Sequence, residues 1–328
     1  MDHVGCVVIG RNEGERLVRC LDALLRSVTR LVYVDSGSTD GSAAMARARG
    51  VTVVDLDMSV PFTAARGRNA GFERLRLEHP SVSRVQFLDG DCEIVEGWLA
   101  SAAAALDARA DLAAVCGRLR ERHPEASVYN QLCDLEWDTP VGPATACGGN
   151  AMMRVAAFAE VGGFDPTLIA GEEPELCFRL RARGWMIERI AAEMALHDAA
   201  IDRFDQWWKR HVRSGHAYAE GAAMHGSSPE RYFVRENVRI VLWGALLPFS
   251  ATFFALPTLG LSLLLLGGYP LSIARVYSRT RARGIEPRIA FAYAVATALV
   301  VKFPEALGVA KYWRNRVLGE RARLIEYK

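Results

Sequence analysis

The sequence predicts an α/β domain with helices on both faces of a parallel sheet, followed by a membrane-associated helical region, and three observations carry this. Short β-branched runs alternate with helical patterns from Val4 to Leu88, and acidic and polar residues collect just after those runs. No charged residue lies between Arg239 and Arg275. A chain of 328 residues is long enough for one large core plus a smaller appended region.

In order, the predicted pairs are strand Val4–Ile9 with helix Glu15–Ser27, Leu31–Asp35 with Ser42–Arg49, and Val51–Leu56 with Thr63–Leu77; Arg84–Leu88 is a fourth strand. Ser38 or Asp40 can cap the second helix and Gly50 can end it. Arg11 and Asn12 follow the first strand, Asp35 and Ser36 the second, and Asp89 and Asp91 the fourth. In open α/β sheets the ligand crevice lies at these carboxyl ends. From Ala100 to His197 the pattern is mixed, with Gly-rich breaks at Cys147–Asn150 and Val161–Pro166, and reads as the second half of the same domain, which spans residues 1–200.

Residues 201–238 are rich in aromatic and basic side chains, among them Trp207, Trp208, Lys209, Arg210 and Arg213, as in helices that meet lipid headgroups. Residues 239–328 form the membrane region. Its uncharged run is too long for one straight span of about 20 residues. Pro257 and Gly260 therefore suggest a hairpin, with Pro248 and Pro270 as kinks. Ile289–Val301 is too short to span unless it recruits Lys302 and Glu305, and is read as an interfacial helix. Basic residues in Arg279–Arg283 and in the tail (Arg314, Arg316, Arg321, Arg323) then face the cytoplasm.

Lys+Arg 40 against Asp+Glu 38 gives a net charge of +2, which gives no global reason to expect nucleic acid as a partner. Seven scattered cysteines without a C-x-x-C pair argue against a disulfide framework or zinc knuckle and for a reducing compartment. The start lacks the basic and apolar segments of a signal peptide, so the first domain is expected to stay cytoplasmic.

Asp89 and Asp91, separated by one glycine at a strand end, can hold a hard cation such as Mg²⁺ or Mn²⁺ that neutralises a diphosphate. The same Asp-Gly-Asp is also a good turn sequence. Asp35 can accept from a base imide or ribose hydroxyl, whereas Asp40 reads as a cap and turn residue.

Four segments, VVIGRNEGERLVRCLDAL, VDSGSTDGS, ARGRNAG and FLDGDCE, occur in this order. Together they resemble the family 2 glycosyltransferases of the GT-A fold, over roughly Val4 to His197. The resemblance implies a doubly wound mixed sheet and a metal-dependent, inverting transfer from a nucleoside diphosphate sugar to a hydroxyl acceptor. It carries Asp35 onto the nucleotide-contacting acid, Asp91 onto the metal ligand of the D-x-D motif, and Asp89 onto its sugar- or ribose-contacting partner. Arg66, Arg68 and Asn69 fall beside the donor; Arg11 and Asn12 line the same pocket, unless Asn12 simply caps the first helix.

AGEEPELCFRLRARGW is similar to the family's later acid pair and helix, with Glu172, Glu173, Glu175, Arg179 and Gly184. Glu173 stands where the family has its catalytic Asp, one methylene longer, and Glu172 and Glu175 remain within reach as bases. The same acids, with Pro174, also suit a helix N-terminus. His197 resembles a third metal or phosphate contact of some relatives. Trp207 and Trp208, with the basic residues after them, suit either a lid or a membrane surface. QWWKR stands near where processive synthases carry Q-x-x-R-W, so transfer of single sugars is expected.

A membrane anchor makes a lipid-linked or surface-glycan precursor the expected acceptor, with membrane lipids as partners at the cytoplasmic membrane. Two alternatives remain at this point: a sugar nucleotidyltransferase, for which IGRNEGERL is a poor phosphate loop, and a non-catalytic sugar-nucleotide-binding subunit.

Overall fold

The computed structural model describes residues 3–320 and 324–326; Arg321 and Arg323 of the basic tail lie outside the described residues. Two compact units form: Met1–Pro124 with Glu136–Ala200, and Glu125–Leu135 with Ile201–Lys328. A short segment between Pro124 and Glu136 thus groups with the C-terminal unit, and the first unit is discontinuous in sequence.

The first unit begins β1 (Val4–Gly10), α1 (Glu15–Leu25), β2 (Leu31–Asp35), α2 (Ser42–Ala48), β3 (Thr52–Asp55), α3 (Ala64–Glu78) and β4 (Arg84–Asp89). Then come β5 (Cys92–Ile94), α4 (Trp98–Ala108) and β6 (Leu112–Glu121). α5 (Val128–Trp137) crosses the unit boundary, and β7 (Gly142–Pro143), β8 (Ala151–Arg154), α6 (Val155–Glu160), α7 (Glu172–Ala182) and β9 (Met186–His197) complete the domain. The sheet runs β3-β2-β1-β4-β8-β6-β9-β5, with β7 added to β9.

Its first four strands are parallel, and β8 enters antiparallel between β4 and β6. β1 and β2 are buried along nearly their whole length, as strands covered on both faces must be, which explains their continuous β-branched runs. Gly50, at φ +74, ends α2 in the left-handed region where a side chain is disfavoured. The cap of that helix is Gly41; Asp40, one residue earlier, accepts from the Ser42 N–H at 3.0 Å.

The second unit contains α8 (Phe204–His225), α9 (Val234–Val241), α10 (Leu247–Phe253), α11 (Gly268–Ala282), α12 (Pro287–Val295) and α13 (Lys302–Leu318). A π turn at Leu242–Leu246 joins α9 to α10, so Pro248 sits in a first turn and breaks nothing. The uncharged run is interrupted after Phe253, where Leu259 and Gly260 are both left-handed, and returns through a 3-10 segment at Leu261–Gly267. Ser262 Oγ donates to Ala251 O at 2.7 Å, and Trp243 packs edge-on against Tyr269, so the two limbs pair as a hairpin.

Ile289–Val301 is not a separate short helix. It belongs to a continuous run, Pro287–Leu318, of 32 residues, whose most apolar 18-residue window has a mean hydropathy of 1.5, long and apolar enough to cross a membrane. Lys302 and Glu305 are accommodated inside it as a pair 2.6 Å apart. α8 and α13 cross at Gly215 and Gly308, where a Cβ would overlap the facing backbone. Trp207 is buried against Tyr129, Phe204 and His211 within this unit.

Candidate active site

Parallel pairing sets Asp35 opposite Gly10 and Asp89 opposite Ile9, so the two acids flank the carboxyl end of β1. Strands on either side of a third lie about 10 Å apart. The buried Asp35 carboxylate accepts from Tyr33 Oη at 2.9 Å on one oxygen, and from the Gly37 and Ser38 N–H groups at 3.1 and 2.8 Å on the other. That is three of a carboxylate's roughly four acceptor positions. Burial and the Asp35 charge together raise the Tyr33 phenol, so Tyr33 stays a neutral donor.

Asn12 does not cap α1, whose N-cap position is Gly14. It joins the loops after β1 and β2: its N–H donates to Ser38 Oγ at 2.9 Å and its Oδ1 accepts from the Thr39 N–H at 2.8 Å. Gly14 N–H donates to Asp40 Oδ2 at 3.0 Å, tightening the same seam. Arg11 is exposed at this strand end.

Arg68 is the buried centre of the site. Its Nη2 donates to Asp89 Oδ1 and its Nη1 to Glu172 Oε1, both at 2.7 Å. Burial alone would lower its pKa, but the two carboxylates outweigh burial and raise it, so the guanidinium is firmly charged. It also lies over the Phe164 ring at 5.6 Å. Asn69 clamps the Phe164 backbone, donating to its O at 2.7 Å and accepting from its N–H at 3.0 Å. Asn69 thus supports the cluster from behind. Arg66 is not brought to it: its guanidinium donates to the carbonyls of Asp57, Val60 and Pro61.

Strand register also assembles a second group. His197 on β9 pairs with Cys92 on β5 and with Glu121 on β6. His197 Nε2 lies 3.3 Å from Asp91 Oδ1, and its Nδ1 lies 3.9 Å from Glu121 Oε2. Two donors each about 2.1 Å from a cation, set roughly 100° apart, stand at this separation, so the pair fits a divalent ion. Cys92 Sγ lies in the same cluster. The imidazole nitrogen favours a first-row transition ion such as Mn²⁺ over Mg²⁺, which prefers oxygen and water. Glu121 accepts from the His123 and Ala199 N–H groups at 3.1 and 3.0 Å, and burial raises its pKa. Its Oε2 lies 3.9 Å from the imidazole Nδ1, beyond hydrogen-bond reach, and sets a carboxylate behind the ring.

Glu172, Glu173 and Glu175 all lie in the first turn of α7, where the helix dipole favours acids. Their partners separate them. Glu172 is balanced by Arg68. Glu175 is gripped by Arg179, whose Nε and Nη2 donate at 2.8 Å to its two oxygens, and is thereby a structural clamp. Glu173 Oε1 accepts from the Cys147 N–H at 2.6 Å and from Cys177 Sγ at 2.9 Å.

Residues 6–162 match the family model described as glycosyl transferase family 2. That segment, just under half of the chain, is a family 2 glycosyltransferase domain. Glycosyltransferase AglE of Haloferax volcanii is 24% identical to it over 226 residues, which is 65% of this chain and 71% of that protein. A TPR repeat-containing protein of Synechococcus elongatus is 30% identical over 99 residues, 30% of this chain but only 23% of that one. Among solved structures, the mannosyltransferase PcManGT of Pyrobaculum calidifontis, in complex with GDP-Man and Mn²⁺, is similar with a TM-score of 0.60. That match has 17% identity and covers 96% of this chain and 88% of the other, and it establishes the GT-A fold of this glycosyltransferase.

Sequence reasoning did not find Glu121, Tyr33 or Asn150 in the glycosyltransferase site. Asn150 Oδ1 accepts from the Asp89 N–H at 2.8 Å, fixing the D-x-D turn. Its signal was the Gly-Gly-Asn break before β8; Glu121 carried none, because only strand register brings it to His197.

Proposed function

We propose that this glycosyltransferase moves a single sugar, with inversion, from a nucleoside diphosphate sugar to a hydroxyl of a lipid-linked or surface-glycan precursor. The observation that carries the reading is the Asp91–His197 pair, 3.3 Å apart and backed by Glu121, at the end of the sheet that also holds Asp35 and Asp89. Asp91 and His197 would hold a divalent ion, which when bound supplies neutralising charge to a diphosphate. Asp35 keeps one acceptor position for a base imide or ribose hydroxyl. Asp89, steadied by Arg68 and Asn150, faces the sugar or ribose.

Glu173 is the base. Among the described residues no guanidinium bonds its carboxylate, whereas Arg68 bonds Glu172 and Arg179 bonds Glu175. It takes the proton of the acceptor hydroxyl as that oxygen bonds to the anomeric carbon; the bond to the diphosphate oxygen breaks and its electron pair leaves with the diphosphate. Attack from the opposite face inverts the centre.

The membrane assignment is supported by the helix Pro287–Leu318 and by the exposed hairpin tip, where Leu256 and Leu259 are 89% and 96% accessible. Arg275, Arg279, Arg281 and Arg283 around this region suit the anionic cytoplasmic leaflet.

Glu173→Gln tests the base: donor affinity is retained while kcat falls about 10² to 10⁴-fold. Undiminished kcat would remove Glu173 from this role.

A further inference from the structure

Cys147 and Cys177 come from different parts of the chain, yet their Sγ atoms lie 3.6 Å apart. Glu173 Oε1 completes a triangle, 2.9 Å from Cys177 Sγ, and all three ligand atoms fall within 4.8 Å of one another. Two thiolates bound tetrahedrally at about 2.3 Å stand about 3.8 Å apart, so the thiols already have nearly the spacing of a metal site's edge. α7 supplies two corners, because Glu173 and Cys177 are four positions apart on one helix face. The third comes from the loop before β8. All three residues are buried, and Ala146 and Gly148, on either side of Cys147, are exposed.

We propose that Cys147, Glu173 and Cys177 form a binding site for a thiophilic divalent cation of the zinc type, and that its binding withdraws Glu173 from the acceptor hydroxyl. The second half rests on the reading of Glu173 as base. Binding exchanges two thiol protons, released to solvent, for two thiolate–metal bonds, with a carboxylate oxygen third and a water fourth; nothing is oxidised or reduced. This donor set differs in kind from the Asp91–His197 pair. It offers two sulfurs, against one at the cluster of Asp91, Cys92 and His197, and so has the stronger preference for a soft ion. Because both thiols release a proton on binding, affinity rises with pH. The consequence is a transferase inhibited by a trace metal while its activating ion is present.

The test uses Co²⁺ as a spectroscopic probe on the purified full-length chain, and then Zn²⁺ during turnover with Mn²⁺ present. Thiolate-to-cobalt charge transfer and tetrahedral cobalt bands are expected in the wild type and in Asp91→Ala, and are lost in Cys147→Ser and Cys177→Ser. Thermal melts of each variant establish that it is folded. Zn²⁺ at ten times its Kd lowers wild-type turnover about tenfold, and the two serine variants lose this sensitivity. Absence of thiolate bands in the wild type, or their persistence in both serine variants, overturns the site. Equal zinc inhibition of wild type and variants overturns the withdrawal of Glu173. Thiolate bands with undiminished turnover uphold the site and instead remove Glu173 as the base.

Discussion

Arg68 Nη2 and Asp89 Oδ1 lie 2.7 Å apart, with the Arg68 side chain 4% exposed and the Asp89 side chain 33% exposed. A buried guanidinium thus holds the first acid of the D-x-D motif from the protein side and leaves its outer edge open. Since Arg68 also bonds Glu172, it couples the end of β4 to the start of α7. Arg68→Met leaves both acids facing each other without a cation, and is expected to cost about 3 kcal/mol of stability, read from urea unfolding. A loss under 1 kcal/mol would show that the acids find other partners.

Glu121 is expected to act through His197. Glu121→Gln should weaken Mn²⁺ binding about 10- to 100-fold while added Mn²⁺ restores turnover. Calorimetric titration of the metal checks this, and unchanged affinity would leave Glu121 a purely structural residue.

A Cβ at Gly149 would stand 2.5 Å from Arg68 Nη2 and 3.2 Å from Asp89 Oδ2. Gly149→Ala therefore displaces the Arg68–Asp89 pair, with an expected cost of about 1–3 kcal/mol and weaker donor binding. Gly148→Ala, at φ +79 with nothing near its Cβ, strains the backbone without touching the pair, and should spare donor affinity more than Gly149→Ala does.

Burial, with the charge of Lys311, pushes His216 on α8 down to about 4, and Glu220, 3.5 Å from its Nδ1, does not outweigh them. The folded protein therefore prefers the neutral imidazole. Its contribution is complete above the ordinary histidine pKa of about 6.5 and is lost as pH falls towards 4, on the order of 3 kcal/mol in all. Melting in detergent across this window should show a fall that His216→Leu flattens. An identical slope in the variant would contradict this.

The strand phasing of the first half was legible because its strands are buried on both faces and end in glycines and acids. Asp35, Asp89 and Asp91 announce themselves at those ends. Arg66 and Arg68 were harder, since both fall in ARGRNAG. Two positions on a helix differ by about 200°, so one faces the sheet and the other the Asp57–Pro61 loop. The Glu121–His197–Asp91 row depends on the register of β6, β9 and β5, which no local pattern encodes. Similarly, composition offered no metal site among scattered cysteines, because Cys147 and Cys177 meet only once α7 packs against the loop before β8. In the C-terminal region, Ile289–Val301 looked short because Lys302 and Glu305 seemed to end it; their mutual pairing lets the helix continue.

The central claim is metal-dependent sugar transfer at the Asp91–His197 end of the sheet. Its most direct test is release of nucleoside diphosphate from a panel of sugar nucleotides, in membranes containing the protein, with Mn²⁺, Mg²⁺ or EDTA, beside Asp91→Ala and Glu173→Gln. Release with one donor that Mn²⁺ supports better than Mg²⁺, that EDTA abolishes, and that both substitutions reduce by at least about 10² is the expected result. Release that persists in EDTA or in Asp91→Ala would contradict it.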